Sequence, residues 1–178
     1  IETYIDAIME STGPIARPIK GAVDCGNAVP GPAMTKLLDK MGVDHVDLYC
    51  DWDATEPNHG ADPTRPKNMV DLGKAVVDNG CEFGLGADGD GDRIGAVDEH
   101  GEFVYPDRLI ALLANDVVGT EPGKDLLIYD VKCSMNVENA IITAGGRPMK
   151  AKTGHSFMKR VLANHPDALM AAEMSGHI

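Results

Sequence analysis

The chain has 178 residues, 43% of them hydrophobic, and a formal net charge of −12. That length suits one domain or two small ones, and no apolar stretch approaches the ~18 residues of a membrane span. So acidic a body is a poor partner for nucleic acid, and four dispersed cysteines without a CxxC pair argue against zinc or a disulfide framework and fit a reducing cytoplasm.

In chain order, Ile1, Ile5 and Ile8 predict a helix over residues 1–11, and residues 19–24 read as a short strand. A helix runs to Met41 and stops at Gly42. Residues 43–49 alternate as a strand, and residues 53–66, rich in Pro, Gly, Asp and Asn, form a loop. Val70, Leu72, Val76 and Val77 place a helix over residues 67–79, closed by Gly80. Strands follow at 82–87 and 94–97. The hinge is expected at residues 98–106, with Pro106 and Asp107 opening a helix to Val118. Thereafter strands at 126–131, 148–152 and 168–172 alternate with helices at 136–144 and 155–164. This alternation is that of an α/β protein with largely covered sheets.

Asp88-Gly89-Asp90-Gly91-Asp92-Arg93 is the most informative stretch. Along a straight strand its carboxylates would stand ~6–7 Å apart at each step. Gly89 and Gly91 permit a curl that brings the three together. Three converging carboxylates repel unless a cation joins them, which implies a hard divalent metal. Arg93 adds a forked positive charge suited to phosphate. Three other segments, at 130–134, 152–156 and 173–177, each lie where a strand meets a loop or helix, the edge at which α/β sheets place ligands. Residues 139–166 hold no acid but carry Arg147, Lys150, Lys152, Lys159 and Arg160. They form either an anion-attracting surface or an ordinary solvated face.

Asp88 to Arg93, Lys152-Thr153-Gly154-His155-Ser156 and Glu173-Met174-Ser175-Gly176-His177, in this order, resemble the α-D-phosphohexomutases, with phosphomannomutase/phosphoglucomutase as the nearest branch. Asp24-Cys25-Gly26-Asn27, Pro57-Asn58-His59 with Asp62-Pro63-Thr64, and Asp130-Val131-Lys132-Cys133 support the match. The resemblance covers essentially the whole chain. It implies two consecutive αβα-sandwich domains with mixed sheets: the family's second domain over residues 1–103 and most of its third over residues 104–178, the latter truncated. The chain therefore reads as a piece of a longer protein. The family's N-terminal phosphoserine domain and C-terminal phosphate-binding domain lie outside it, so turnover by this piece alone is not expected. Asp88, Asp90 and Asp92 would hold Mg²⁺, and Arg93 would sit by the phosphoserine. Glu173 and Ser175 would bind hydroxyls of a phosphorylated hexose. His177 and His155 would lie near the reacting oxygen, with His177 as general acid/base, since imidazole titrates near working pH. Lys132 would stand near the substrate. The implied reaction interconverts hexose 1-phosphate and hexose 6-phosphate, of mannose or glucose, in the cytoplasm. Two departures stand out: Ala172 replaces a usual Gly, and Asn58-His59-Gly60-Ala61 lacks a second His and Pro.

Blander readings compete. Glu99 falls where a calcium loop needs its last ligand, but Arg93 occupies that loop's obligatory glycine position. An aspartate-nucleophile phosphatase would need a further acidic cluster. His155 and His177 could be packing residues, and Lys132 could merely pair with Asp130. The remaining histidines, His45, His59, His100 and His165, are expected at the surface. The cysteines are expected to be small buried apolar residues.

Overall fold

The computed structural model describes residues 1–178, which divide into two compact units, Ile1–Phe103 and Val104–Ile178. The first unit runs α1 (Glu2–Thr12), β1 (Lys20–Asp24), α2 (Gly31–Met41), β2 (Asp44–Leu48), α3 (Val70–Asn79), β3 (Phe83–Ala87), β4 (Ile94–Val97) and β5, a two-residue strand (Phe103–Val104) at the boundary. The second unit runs α4 (Pro106–Val117), β6 (Leu126–Asp130), α5 (Met135–Thr143), β7 (Arg147–Ala151), α6 (His155–Ala163) and β8 (Ala168–Ala172). The long helices and strands thus follow the hydrophobic periodicity closely. One difference is the start of α3, which is preceded by a 3-10 turn at Pro66–Met69 rather than continuing one helix from Lys67. Pro66 opens that turn, a first-turn position where a missing N–H costs no intrahelical bond.

The first sheet has the order β2-β1-β3-β4-β5; β2, β1 and β3 are parallel and β4 is antiparallel to β3. The second has the order β7-β6-β8, all parallel. The mixed character is therefore confined to the first sheet. Short turns join β3 to β4 and β4 to β5, while in the second unit α5 and α6 carry the crossovers that parallel neighbours require.

Both sheets are covered on both faces. In β1, Ala22 packs in the cluster of Leu72 and Val76 from α3, while Val23 on the opposite side meets Met34 and Leu38 from α2. In β6 every residue is buried. Leu127 and Tyr129 face Ile110 of α4 and Val137 and Ile141 of α5, whereas Leu126 and Ile128 face Met158 of α6. Period-two alternation inside a continuous apolar run is what a doubly covered parallel strand demands. Each such aliphatic side chain contributes about 1.5–3 kcal/mol by leaving water.

Candidate functional site

The first constellation is the hairpin between β3 and β4. The Asp88 amide donates to the Arg93 carbonyl (3.4 Å), and the Gly91 amide donates to the Asp88 carbonyl (3.2 Å). Gly91 has φ +79°, which its lack of a Cβ permits at little cost. Gly89 does not adopt a positive φ, and a side chain there would meet open space. The curl thus rests on one glycine, not two. It brings one carboxylate oxygen each of Asp88, Asp90 and Asp92 within 4.8 Å of one another, well inside the spacing of a straight strand. Such a set of hard anionic oxygens fits a divalent cation of the Mg²⁺ or Ca²⁺ kind. The hairpin is flanked by antiparallel strands rather than helices, which removes the EF-hand reading.

Within the hairpin, Asp88 is 1% exposed and answers Arg93 twice. Its Oδ1 accepts from the Arg93 backbone N–H (3.0 Å) and its Oδ2 from the Arg93 Nε (2.5 Å). Arg93 Nη1 also lies 3.5 Å from Asp62 Oδ1, a residue of the 53–66 loop.

The second constellation occupies the C-terminal edge of the parallel sheet in the second unit. Asp130 ends β6 and is fully buried; its Oδ1 accepts from the backbone amides of Lys132 and Cys133 (both 3.1 Å), and its Oδ2 from the Thr153 hydroxyl (3.0 Å). Burial and then the Asp130 carboxylate push the Cys133 thiol up to about 12, so it stays protonated. Lys132 forms no ion pair with Asp130, whose neighbours are amides, a thiol and a hydroxyl. Its side chain is exposed at the strand edge, and the simple-pairing alternative is thereby removed.

After β8 the chain turns at residues 173–177, closed by the Glu173 amide on the His177 carbonyl (2.9 Å) and the Gly176 amide on the Glu173 carbonyl (3.0 Å). Glu173 is 1% exposed. Its Oε1 accepts from the Gly154 amide (2.5 Å), just ahead of α6. Its Oε2 lies 3.1 Å from His177 Nδ1 but out of line for a hydrogen bond, and it is the buried side-chain oxygen left without a hydrogen-bond partner. The same Nδ1 lies 2.8 Å from Ser175 Oγ. The His155 and His177 rings stand 4.5 Å apart, tilted by 50°. Glu173, Ser175, His177 and His155 therefore form one group. A buried carboxylate oxygen without a hydrogen-bond donor costs about 1–3 kcal/mol, and here His177 at 3.1 Å offers charge when protonated but no aligned hydrogen bond.

Several groupings were not legible in sequence. His59 is not a bystander at the surface: its Nε2 lies 2.9 Å from Oδ2 of buried Asp24, and its ring meets Tyr49 edge-on. His45 is likewise held, between Asp47 (2.6 Å) and Asp39 (3.2 Å). Cys25 and Cys50, distant in sequence, bring their sulfurs to 3.6 Å. That hydrogen bond, with burial, keeps the Cys50 thiol well above its ordinary value and hence unreactive. Asp62 was visible only as part of a supporting motif. The bare signal for all these was local: an Asp or His beside a glycine-rich turn, without any indication of its partner.

Comparison with known proteins agrees with this architecture. The family model for phosphoglucomutase/phosphomannomutase alpha/beta/alpha domain II matches residues 2–101, and that for alpha/beta/alpha domain III matches residues 105–178. The phosphomannomutase/phosphoglucomutase of Pseudomonas aeruginosa is 45% identical over 164 residues, and a phosphoglucomutase of Neisseria meningitidis is 44% identical over 164 residues. Each alignment takes in 92% of this chain and 35% of the relative, so the chain spans about a third of those proteins. A crystal structure of a phosphoglucomutase/phosphomannomutase family protein from Burkholderia thailandensis superposes with a TM-score of 0.92 at 40% identity, covering 99% of this chain and 38% of that one.

Proposed function

This chain belongs to the phosphoglucomutase/phosphomannomutase family, and from that premise we propose that it supplies two units of a Mg²⁺-dependent phosphohexomutase interconverting hexose 1-phosphate and hexose 6-phosphate, of mannose or glucose. The observation that carries the reading is the 88–93 hairpin, in which three carboxylates converge beside an anchored guanidinium. Asp88, Asp90 and Asp92 would hold the Mg²⁺, which when bound supplies positive charge against a transferring phosphoryl group. Arg93 adds a fixed charge for the phosphate of a phosphoserine contributed by another domain of the same protein. Phosphoryl transfer passes through a loose, anionic transition state, so positioning and positive charge matter more than covalent help.

In the second unit, Glu173 Oε2 and Ser175 Oγ take hydroxyls of the phosphorylated sugar. The sugar supplies the donor that Oε2 lacks. His177, fixed through Nδ1 by Ser175, serves as general acid/base, with the His155 ring beside it. Lys132, exposed at the same sheet edge, lends charge to the substrate phosphate. The reaction proceeds through a bisphosphorylated sugar that returns its other phosphate to serine. Free thiols and the absence of any helix long and apolar enough to cross a membrane support a cytoplasmic setting.

The test is isomerisation of glucose 1-phosphate and mannose 1-phosphate by the full-length protein. Turnover should vanish on chelation and return with Mg²⁺, while the 178-residue chain alone should show none. Full turnover after chelation would overturn the assignment.

A further inference from the structure

Arg93 is reached from a second direction by a loop that is far away in sequence, and the way that loop is seated is unusual. Residues 53–66 cross the face of the β3–β4 hairpin, and buried Pro63 rests on Gly86 and Gly95, which are register partners across the two strands. A Cβ on Gly95 would come within 2.3 Å of the Pro63 carbonyl oxygen, and one on Gly86 within 3.0 Å of the Pro63 ring. Upstream, a Cβ on Gly26 would lie 2.9 Å from the Ala61 Cα. Gly95 and Gly26 thus let the loop backbone make direct contact, and Gly86 leaves room for the Pro63 ring.

The loop is also fastened from the other side. Buried Asn68 donates from Nδ2 to the carbonyls of Gly60 and Asp62 (both 2.9 Å). His59 is tied to Asp24. This fastening holds the backbone on either side of Asp62 and delivers its carboxylate to Arg93. Asp62 Oδ1 accepts from the Thr64 amide (3.2 Å) and hydroxyl (2.7 Å), and its Oδ2 from Arg65 Nε (2.9 Å). Burial works against the Asp62 charge, but these donors and Arg93 outweigh it and hold the carboxyl below the usual range. The group facing Arg93 is therefore an anion at neutral pH.

We infer that Asp62 is a positioning residue for Arg93: Asp88 holds the guanidinium at Nε, and Asp62 stops it swinging by attracting Nη1. Turning about Nε–Cζ only exchanges two like NH2 groups; what a single contact at Nε leaves open is a swing of the whole plane about that contact, and a second contact at Nη1 closes it. A planar fork held at two points presents its remaining N–H groups in one direction, the condition for bidentate recognition of a phosphate. The inference deepens the proposed function, since the value of a fixed Arg93 rests on that reading.

The contact itself is read without turnover, in the 178-residue chain, from the Nη proton signals of Arg93. These stay distinct while the guanidinium is held and merge as it rotates. Asp62→Asn keeps an acceptor for Thr64 and should speed rotation about fivefold, leaving the Nε–H signal bound to Asp88 in place. Arg65→Gln, which touches only the far oxygen of Asp62, should leave rotation as it is. Unchanged rotation in Asp62→Asn, or equal acceleration in Arg65→Gln, would overturn the inference. In the full-length protein Asp62→Asn should lower kcat about fivefold at an unaltered Mg²⁺ concentration for half-activation. Faster rotation with normal kcat would instead refute the role given to Arg93, which keeps the two failures apart.

Discussion

Asp88 and Glu173 make an instructive pair. Each directly follows a strand, and each is 1% exposed. Yet Asp88 has both oxygens hydrogen-bonded by its own chain through Arg93, whereas Glu173 has one oxygen hydrogen-bonded by Gly154 and the other only near His177, without a hydrogen bond. Burial alone does not distinguish a structural carboxylate from one that waits for a ligand; the balance of donors does. In the hairpin the hydrogen bonds of Asp88 are complete, while Asp90 is exposed beside it. In the 173–177 turn, Glu173 Oε2 has His177 Nδ1 at 3.1 Å but no hydrogen bond, which leaves it open to a further donor.

The sharpest break of this comparison comes from activity. In the full-length protein Asp90→Asn removes one of three converging charges at an exposed position and opens no cavity. Turnover should fall by about a thousandfold or more, with the thermal midpoint unchanged. Near-normal turnover would remove the hairpin from the site. Glu173→Gln should cost less, about ten- to a hundredfold in kcat/KM, with Mg²⁺ activation unaltered, because an amide still accepts a hydroxyl but without charge assistance. An unaltered KM and kcat would take Glu173 out of the sugar site.

Stability should reverse that ranking, and this sharpens the contrast. Asp88→Asn breaks a buried, charge-assisted pair and should cost about 2–3 kcal/mol of unfolding free energy in the 178-residue chain. Glu173→Gln keeps the Gly154 bond and loses the contact with His177 but also removes a buried charge, so it should stay within about 1 kcal/mol of wild type. Urea denaturation of both variants decides the matter: a Glu173→Gln loss as large as that of Asp88→Asn would mean that Glu173 is structural.

Much of this arrangement was readable in the sequence because it depends on neighbours. The hairpin glycines, the strand before Asp88 and the turn after Ala172 are all local signals, and the alternation of apolar residues laid out the strands and helices. Ala172 in place of a usual glycine ends β8 as a buried core residue, so the substitution is absorbed by packing. What stayed hidden was pairing across long stretches of chain: Asp24 with His59, Cys25 with Cys50, Arg93 with Asp62. Those follow from strand order, which sets β1 beside both β2 and β3 and gathers the loops following them at one edge. β5 was missed because two residues carry too little periodicity to register. Gly89 misled for the opposite reason, as a glycine suggests a special conformation that the backbone there does not use.

A weaker instance of a self-answered group tests how far the contrast extends. His45 sits with its side chain 10% exposed, Nδ1 2.6 Å from Asp47 and Nε2 3.2 Å from Asp39. Only the imidazolium can donate from both nitrogens. Burial opposes that charge, but the two carboxylates prevail and raise the His45 pKa above its ordinary value. A raised pKa means that the folded state binds the proton more tightly than the unfolded chain. The resulting stability is complete below the unfolded value of about 6.5 and is lost as pH rises through the higher folded value. Asp39 and Asp47 are both substantially exposed, so the contribution should be no more than about 0.5–1 kcal/mol. His45→Gln should therefore be less stable than wild type at about pH 6, and the two should converge as pH rises through the raised folded value. A gap that persists undiminished at high pH would assign the loss to packing, and would show that His45 draws nothing from its flanking carboxylates.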